Sequence, residues 1–376
     1  MRAAIVSLVV ATAIVGYFLL PTTTDPLSAT YELLEATGPP GFERVRGPQE
    51  FSFPQDHGPH PDYQTEWWYY TGNLVSEGGG RFGYQLTIFR RGLTPGDTQR
   101  DSDFATNQIY FGHFALTDIG KGEHVALERF ERGSAGLAGA TGDPFGVRLG
   151  DWSIESLNDT GSQVRLSASE AGIGIDLTLA ATKPIVAHGE RGYSLKGEAE
   201  GNASYYLSFT DMQTQGTLEV GDRVIEVSGS SWFDHEWGTN ALGPEAVGWD
   251  WFGLQLEDGR ELMLFHIRTK DGGIEKVSGG TLVEPNGDSR WLTADEFEIL
   301  PITKWKSSAT GTIYPSGWEI AVPEAGLELN VEPWIKDQEM RLSFEYWEGA
   351  VRVSGTVNGQ GYVELTGYSG SMQGLY

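Results

Sequence analysis

The sequence lacks cysteine altogether, which excludes a disulfide framework and a lipidated-cysteine anchor. The stability of its 376 residues must therefore come from packing. Positive charge is also scarce, because 26 Lys and Arg stand against 52 Asp and Glu and leave a net charge of −26. Nucleic-acid affinity depends on clustered Lys and Arg, and no basic run occurs in the chain. The composition therefore argues against a nucleic-acid partner.

Several catalytic signatures are missing as well. No Gly-x-Ser-x-Gly nucleophile elbow occurs, which argues against acyl-serine hydrolysis. No Gly-rich phosphate loop or dinucleotide fingerprint is present, and we expect no cofactor. Long amphipathic helices are absent too, so the fold must be built mainly from strands.

The first segment of the chain is its one long apolar run. After Arg2, residues 3–20 carry no charge and are mostly apolar. About 20 such residues span a bilayer, and no good small-x-small cleavage site follows promptly. We therefore interpret residues 1–25 as a membrane anchor, with a cleaved signal peptide as the alternative. Either segment would export the body to the periplasmic or extracellular face, with membrane contact only through the N-terminus.

The rest of the chain is patterned as an all-β protein. Alternating apolar and polar runs, such as 82–90 and 261–268, are separated by turn pairs such as Asn358-Gly359. Only short helices are predicted. "TYELLEAT", near residue 30, lies in an expected linker at 26–45, and "TADEFE" begins at Thr293 with capping-box spacing.

An internal repeat divides the body of the chain. Three segments recur in the same order, which predicts a duplication with a first domain at 46–238 and a second at 239–376. Each copy has the size of one antiparallel barrel or sandwich, and a closed barrel leaves no open sheet edge. The matching pairs are 66–90 with 248–268, 112–131 with 280–298, and 216–232 with 355–370.

Three motifs also resemble a known family. "YQTEWWYYTGNL", "WFDHEWGT" and "YWEGAVRVSGTVNGQGYVELTGY" are similar to signatures of the AttH/CrtC-like proteins. This family includes carotenoid 1,2-hydratases, fungal kievitone hydratase, lipocalin-like pericyclases and a "predicted secreted hydrolase" group. The resemblance covers nearly all of residues 45–376. It implies two tandem lipocalin-like β-barrels.

Four consecutive aromatic residues form the first candidate site. Alternation along a strand sends Trp67 and Tyr69 to one face and Trp68 and Tyr70 to the other. One pair is expected in a barrel core, and the other faces solvent, a ligand or the partner barrel. Aromatic residues at the mouth of a small barrel can line an apolar cavity for a polyene, terpene or acyl chain. Trp67, Trp68 and Tyr69 are therefore candidate ligand-binding residues.

The second candidate site is "SSWFDHEWG", in which Asp234, His235 and Glu236 lie between Trp232 and Trp237. A carboxyl group among aromatics loses the solvation of its charged form, so its pKa rises and it remains a proton donor. Protonating a trisubstituted alkene gives a tertiary carbocation, which aromatic faces stabilise before water adds. Trp232 and Trp237 are therefore candidate ligand-binding residues. Resemblance to the hydratases implies Asp234 as the acid, with His235 or Glu236 orienting it or handling the water. The alternative is that these polar residues only brace the link between the barrels.

Other candidates carry a weaker signal. His57 and His60, with Glu66, could ligate a metal, but loop histidines at this spacing more often anchor hydrogen bonds, and no metal is expected. Further residues on predicted strands could line a ligand cavity or be ordinary polar and aromatic groups of the barrels. These are Gln85, Arg90 and His113 in the first domain, and Trp249, Asp250, Trp251, Tyr346 and Glu348 in the second.

Three functional hypotheses remain open. The first is a cofactor-independent lyase or isomerase, such as a hydratase of a carotenoid or terpenoid C=C bond, with Asp234 as general acid. The second is an envelope carrier of a lipid or isoprenoid, working beside an ABC exporter permease, in which Asp234 is architectural. The third is a scaffold that presents its aromatic faces to another envelope protein, and it predicts a flat apolar patch without a cavity.

Overall fold

The structure, a computed structural model, describes residues 40–96, 102–239 and 242–372. The predicted anchor at 1–25 and the predicted helix near residue 30 lie outside these residues. In the part of the chain that is described, no helix is long and apolar enough to cross a membrane.

The described residues form β-strands and two short 3₁₀ turns, Gln55–His57 and Pro323–Ala325, and contain no α-helix. The strands of the first half are β1 (Thr65–Ser76), β2 (Arg81–Gly92), β3 (Gln108–Asp118), β4 (Glu123–Arg132), β5 (Ala138–Gly142), β6 (Phe145–Leu149), β7 (Trp152–Ser156), β8 (Gln163–Glu170), β9 (Ile173–Ala181), β10 (Val186–Ala187), β11 (Tyr193–Leu195), β12 (Ala203–Val220) and β13 (Arg223–Gly238). Those of the second half are β14 (Ala246–Leu256), β15 (Glu261–Thr269), β16 (Gly279–Val283), β17 (Ser289–Thr293), β18 (Glu298–Pro301), β19 (Lys304–Lys306), β20 (Ile313–Pro315), β21 (Trp318–Val322), β22 (Leu327–Pro333), β23 (Glu339–Arg341), β24 (Glu345–Gly355) and β25 (Gly359–Leu365).

The two halves have the same antiparallel topology. The first sheet runs β4-β3-β2-β1-β13-β12-β9-β8-β7-β6-β5, and the second runs β17-β16-β15-β14-β25-β24-β22-β21-β18. In both, the first strand of the half pairs with the last. The first sheet closes almost into a barrel, since β3 and β4 approach β6, and the second forms a half-barrel. The prediction of two tandem lipocalin-like barrels is confirmed.

The repeated segments of the sequence occupy equivalent places in the two sheets. They form β1–β2 and β14–β15, then β3–β4 and β16–β17, and finally β12–β13 and β24–β25. The runs predicted at 82–90 and 261–268 are β2 and β15, and Asn358-Gly359 lies at the turn between β24 and β25. The duplication is therefore visible in the strand order as well as in the sequence.

Gly216 and Gly355 mark one such equivalent position. Each lies opposite a leucine of the neighbouring strand and has a positive φ, 152° for Gly216 and 135° for Gly355. A Cβ at Gly216 would overlap the Asp176 carbonyl oxygen, and one at Gly355 would overlap that of Glu328. Both positions therefore require glycine for its backbone freedom and its lack of a side chain.

Alanine at either position is expected to destabilise the fold. We expect Gly216→Ala and Gly355→Ala each to lower the free energy of unfolding by about 1–3 kcal/mol, because strained backbone and a steric overlap are added together. Urea denaturation followed by tryptophan fluorescence measures the change. Gly139→Ala is the control, since no atom lies within 4 Å of the added Cβ and its φ is not positive. Equal effects at all three sites would contradict this account.

The strands at the centre of each sheet are buried on both faces. Trp68 and Tyr70 of β1 pack in the core of the first barrel, whereas Trp67 and Tyr69 pack against the second domain. In β14, Phe252 faces the core of the second barrel and Trp251 faces the first domain. The aromatic run at 67–70 thus contributes to two apolar contacts, one in the core of the first barrel and one between the barrels.

The predicted helix at "TADEFE" is wrong. Residues 294–297 form a turn between β17 and β18. The backbone N–H and the hydroxyl of Thr293 both donate to Glu296 Oε2, at 2.8 Å each. The capping-box contact is therefore made, but only within a tight turn.

Candidate active site

An aromatic cleft lies between the outer faces of the two barrels. Its volume is about 780 Å³ when the space out to its open mouth is counted. Strands β1, β2, β12 and β13 form one wall, and β14, β15, β24 and β25 form the other. We expected a cavity at the mouth of a barrel, whereas the cleft is built from residues that point out of both. The lining includes Trp67, Tyr69, Tyr206, Asp234, Glu236, Trp249, Trp251, Tyr346, Glu348 and Glu364.

Strand β13 divides the "DHE" motif between its two faces. Asp234 and Glu236 line the cleft. His235 lies on the opposite face of the strand, which faces the first barrel, and its ring stacks on that of Trp68 with the centroids 5.1 Å apart. Successive residues of a strand face opposite ways, so His235 cannot reach the Asp234 carboxylate. The hypothesis that His235 orients the acid or handles water is therefore wrong.

Three donors hold the Asp234 carboxyl. Trp232 Nε1 donates to Oδ1 at 2.7 Å, and the Ser208 hydroxyl donates to the same oxygen. The Tyr206 hydroxyl donates to Oδ2 at 2.9 Å and itself accepts from Trp251 Nε1 at 2.9 Å. The acid is therefore held by three donors of the first domain, and Trp251 of the second domain fixes one of these donors, Tyr206.

The charge state of Asp234 is set mainly by burial. Loss of solvent raises the pKa of the Asp234 carboxyl from 3.8 to about 7, against the opposing effect of the hydrogen bonds from Ser208, Trp232 and Tyr206. The neighbouring Glu236 carboxylate contributes a smaller rise to this pKa. Near neutral pH the group is thus divided between its acid and base forms, as a proton donor requires.

The titration of Asp234 can be observed directly. With ¹³C-labelled aspartate side chains, we expect one carboxyl resonance with a midpoint near pH 7 that disappears in Asp234→Asn. Ser208→Ala should move this midpoint to higher pH, because its hydroxyl stabilises the charged form.

The raised pKa of Asp234 also means that the folded state holds the proton more tightly than the unfolded chain. This contribution to stability is therefore lost as the pH rises from 3.8 to about 7. A midpoint near pH 4 would contradict the assignment.

His188 lies behind the acid and was not predicted. Its Nε2 is 2.7 Å from Ser208 Oγ and its Nδ1 is 2.7 Å from Thr281 Oγ1 of the second domain. Burial lowers the pKa of His188 to about 3, and the charge of Lys196 adds to this effect. A neutral His188 that donates from Nε2 leaves the Ser208 hydroxyl free to donate to Asp234. His188 is therefore a positioning residue.

Two further carboxyls lie side by side on adjacent strands of the second wall. Glu348 of β24 and Glu364 of β25 are directly opposed in the strand register. Burial raises the pKa of Glu348 well above its ordinary range, and the charge of Glu364 raises it further. Burial also raises the pKa of Glu364 to about 7, although Trp249 Nε1 donates to its Oε2 at 2.8 Å. Two close carboxyls rarely ionise together, so this pair retains at least one proton near neutrality.

The fourth carboxyl of the cleft is paired. Glu236 Oε1 lies 3.0 Å from Lys196 Nζ and also accepts from the Ser204 hydroxyl. Lys196 Nζ lies over the rings of Tyr206 and Phe265, at 4.9 and 4.7 Å from their centroids. Both residues line the cleft, and the charges of this ion pair compensate each other.

The structure separates the predicted ligand-binding residues into three groups. Trp67, Tyr69, Trp249, Trp251, Tyr346 and Glu348 line the cleft. Trp232, Gln85 and His113 lie on the interdomain side of their strands but behind the lining; His113 Nδ1, for example, is 2.8 Å from the Tyr346 hydroxyl. Trp68 and Trp237 point away from the cleft, because each belongs to the opposite face of its strand. Trp68 lies in the first barrel core, where its Nε1 donates to the His57 carbonyl at 2.7 Å.

Glu66 anchors a separate polar network at the first barrel. Its Oε1 is 2.7 Å from His60 Nδ1 and 2.9 Å from His235 Nε2, and its Oε2 accepts from Arg90 Nε at 2.7 Å. The nitrogens of both histidines and a Glu66 oxygen lie within 4.8 Å of one another, a spacing that suits a metal ion. Arg90, however, already supplies a buried positive charge to Glu66. The network is therefore complete as an ion pair, and Asp250 is similarly paired with Arg268 at 2.9 Å in the second barrel.

Comparison with known proteins places the chain in a family. The AttH-like family model matches residues 44–368. The structure of an AttH-type protein from Nitrosomonas europaea is 34% identical, with a TM-score of 0.78, and the match covers 87% of this chain and 100% of that one. Kievitone hydratase from Nectria haematococca is 18% identical, with a TM-score of 0.65 over 89% of this chain and 98% of its own, and shares the fold. None of the curated proteins matches the sequence. This protein is therefore a member of the AttH-like family.

Proposed function

We propose that this protein is a cofactor-independent hydratase that adds water across a C=C bond of a carotenoid- or terpenoid-type substrate, with Asp234 as general acid. The observation that carries the proposal is the Asp234 carboxyl, buried in an aromatic cleft with its pKa raised to about 7. A carboxyl in this state can donate a proton to an apolar alkene near neutrality. The family and the fold shared with kievitone hydratase support a hydratase-like lipocalin protein.

The reaction requires a proton, a stabilised cation and a water molecule. Asp234 gives its proton to one alkene carbon, the π electrons form the new C–H bond, and the other carbon becomes a tertiary carbocation. The faces of Trp67, Trp249 and Trp251 lower the energy of this cation. Water then bonds to the cationic carbon and loses a proton to a carboxylate of the cleft.

Glu364 is our candidate for the group that receives this proton. Its pKa is also raised to about 7, so its ionised form is populated near neutrality. When the proton returns to Asp234, the enzyme is restored and one water has been consumed. The predicted N-terminal segment would place this reaction on the outer face of the membrane.

The full chain, made in an envelope-competent host, provides the test. Native mass spectrometry with organic extraction identifies co-purifying apolar molecules, and these molecules and a panel of isoprenoid alkenes are then incubated with the protein in D₂O. We expect a product heavier by one D₂O, with deuterium on the former alkene carbon. A bound apolar compound without turnover would instead favour the envelope carrier. Protein that binds none of the alkenes would overturn both and favour the interaction scaffold.

A further inference from the structure

The Glu348 carboxyl is buried in the cleft without a positively charged partner among the described residues. Glu348 is only 2% exposed, and neither of its carboxyl oxygens makes a hydrogen bond of standard geometry with a described residue. The Tyr69 hydroxyl, on the opposite wall, is buried and faces Glu348, but it also makes no hydrogen bond of standard geometry. Hydrogen bonding from the Tyr69 and Tyr346 hydroxyls lowers the pKa of Glu348, but burial and the charge of Glu364 outweigh it. A buried carboxyl is costly when it is unpaired, so these atoms are expected to meet a polar group of a ligand.

The charge around Glu348 identifies the kind of group that is missing. Glu364 faces it from the next strand, and among the described residues no Lys, Arg or His forms an ion pair with either carboxyl. Lys196, the one basic residue that lines the cleft, is already paired with Glu236. The residues of the second wall that line the cleft therefore include two acidic groups and no Lys, Arg or His.

The surfaces beside the two carboxyls are aromatic. Tyr69, Tyr346, Trp249 and Trp251 line the same cleft. The faces of such rings attract a positive charge, most strongly for a weakly hydrated organic cation that can lose its water. Carboxylates surrounded by rings are a poor site for a small metal cation, which prefers several oxygen ligands.

We propose that Glu348 and Glu364, with the Tyr69 hydroxyl, form a subsite for the cationic group of an organic ammonium ligand whose apolar part lies in the rest of the cleft. The cation supplies the charge that the second wall lacks, and the aromatic rings replace its hydration. This assignment depends only on the geometry of the cleft and does not require Asp234 to act as an acid.

Choline and its neutral isostere 3,3-dimethylbutan-1-ol test the proposal, because they differ in charge and hardly in shape. Isothermal titration of the full chain measures both dissociation constants. We expect choline to bind about tenfold more tightly or better, in line with a desolvated cation–π contact. Glu348→Gln and Glu364→Gln should bring the ratio towards one, and Tyr69→Phe should reduce it. Glu298→Gln, at an exposed position of β18, is the matched control and should keep it.

Equal affinity of the two probes for the wild-type chain would overturn the subsite, whatever the variants do. Preference for choline that survives both Gln substitutions would also overturn it, since the charge would then be recognised elsewhere. Failure of this inference is distinguishable from failure of the hydratase proposal. Asp234→Asn should keep the preference for choline while it abolishes deuterium incorporation, and a protein without hydratase activity can still show the charge preference.

Discussion

Asp234→Asn is expected to lower the rate of deuterium incorporation into the alkene by about 10²–10⁴-fold, the usual contribution of a positioned general acid. Asparagine has nearly the same shape, and its Oδ1 can still accept hydrogen bonds from Trp232 and the Ser208 hydroxyl, which share one oxygen of Asp234. It has no acidic proton to give. The loss should therefore appear in turnover, with ligand binding little changed. The measurement is the initial rate of product formation in D₂O, with ligand affinity determined in parallel by native mass spectrometry.

A matched substitution separates chemistry from folding. Asp250→Asn also removes a buried carboxyl, but this group bonds to Arg268 and Tyr368 and does not line the cleft. We expect it to affect stability rather than turnover. Thermal unfolding of both variants provides the comparison. If Asp234→Asn keeps the wild-type rate, or loses activity only because it unfolds, Asp234 is a brace between the barrels and the proposed mechanism fails.

Arg90→Met is expected to destabilise the protein by about 3–5 kcal/mol, the usual cost of breaking a buried ion pair by removing one partner. Arg90 and Glu66 are both almost fully buried, and the guanidinium also donates to Gln108 Oε1 and to the carbonyls of His60 and Tyr63. Its loss leaves the Glu66 charge without its main compensation. Urea denaturation at pH 7 measures the effect.

An exposed ion pair offers the control for Arg90. Arg165 and Asp176 are paired on the surface of the first barrel, with each side chain 49% exposed. Solvent screens such pairs, so Arg165→Met should cost about 1 kcal/mol or less. Similar losses in the two variants would contradict the role given to Glu66.

The Glu66 network also predicts an acid-sensitive fold. Burial alone would raise the pKa of Glu66, but the charges of Arg90 and His60 and the hydrogen bond from His235 hold it well below 4.5. Its folded pKa lies below the unfolded one, so the stabilisation is present above pH 4.5 and is lost as the pH falls through the folded value. Arg90→Met should weaken this dependence on pH.

The orientation of the aromatic run at 67–70 can be predicted only in part from the sequence. Period-2 alternation correctly separates Trp67 and Tyr69 from Trp68 and Tyr70. The pattern does not say which pair enters the barrel, because both faces of β1 are apolar and a one-residue change in register would exchange them. Packing of the second domain against β1 decides the matter. Because the sequence alone does not decide this, Trp68 remains a candidate ligand-binding residue until the structure places it in the barrel core.

The hydrogen-bond partners of Asp234 depend on a register shift within the hairpin of β12 and β13, and the sequence of the hairpin turn does not predict this shift. The hairpin of β12 and β13 pairs Met212 with Ser231, and continuing this register would place Phe209 opposite Asp234. The register shifts between Phe209 and Met212, so Asp234 faces Ser208 instead. This bulge directs Phe209 into the barrel and brings Ser208 and Tyr206 to the cleft. Alternation in β12 could have linked Ser208 with Tyr206, but nothing local linked either to Asp234.

By itself, the sequence determined the all-β class, the duplication and the placement of Asp234 and Glu348 among aromatic residues, because these follow from alternation, turn chemistry and repeated motifs within short segments. Only the tertiary structure decided that the candidate site lies between the barrels, that His235 is separated from Asp234, and that Glu364, Lys196 and His188 complete the surroundings of the acid. The physical reason is the same in each case. Residues distant along the chain meet where strand register and interdomain packing bring them together, and neither is encoded in any one segment.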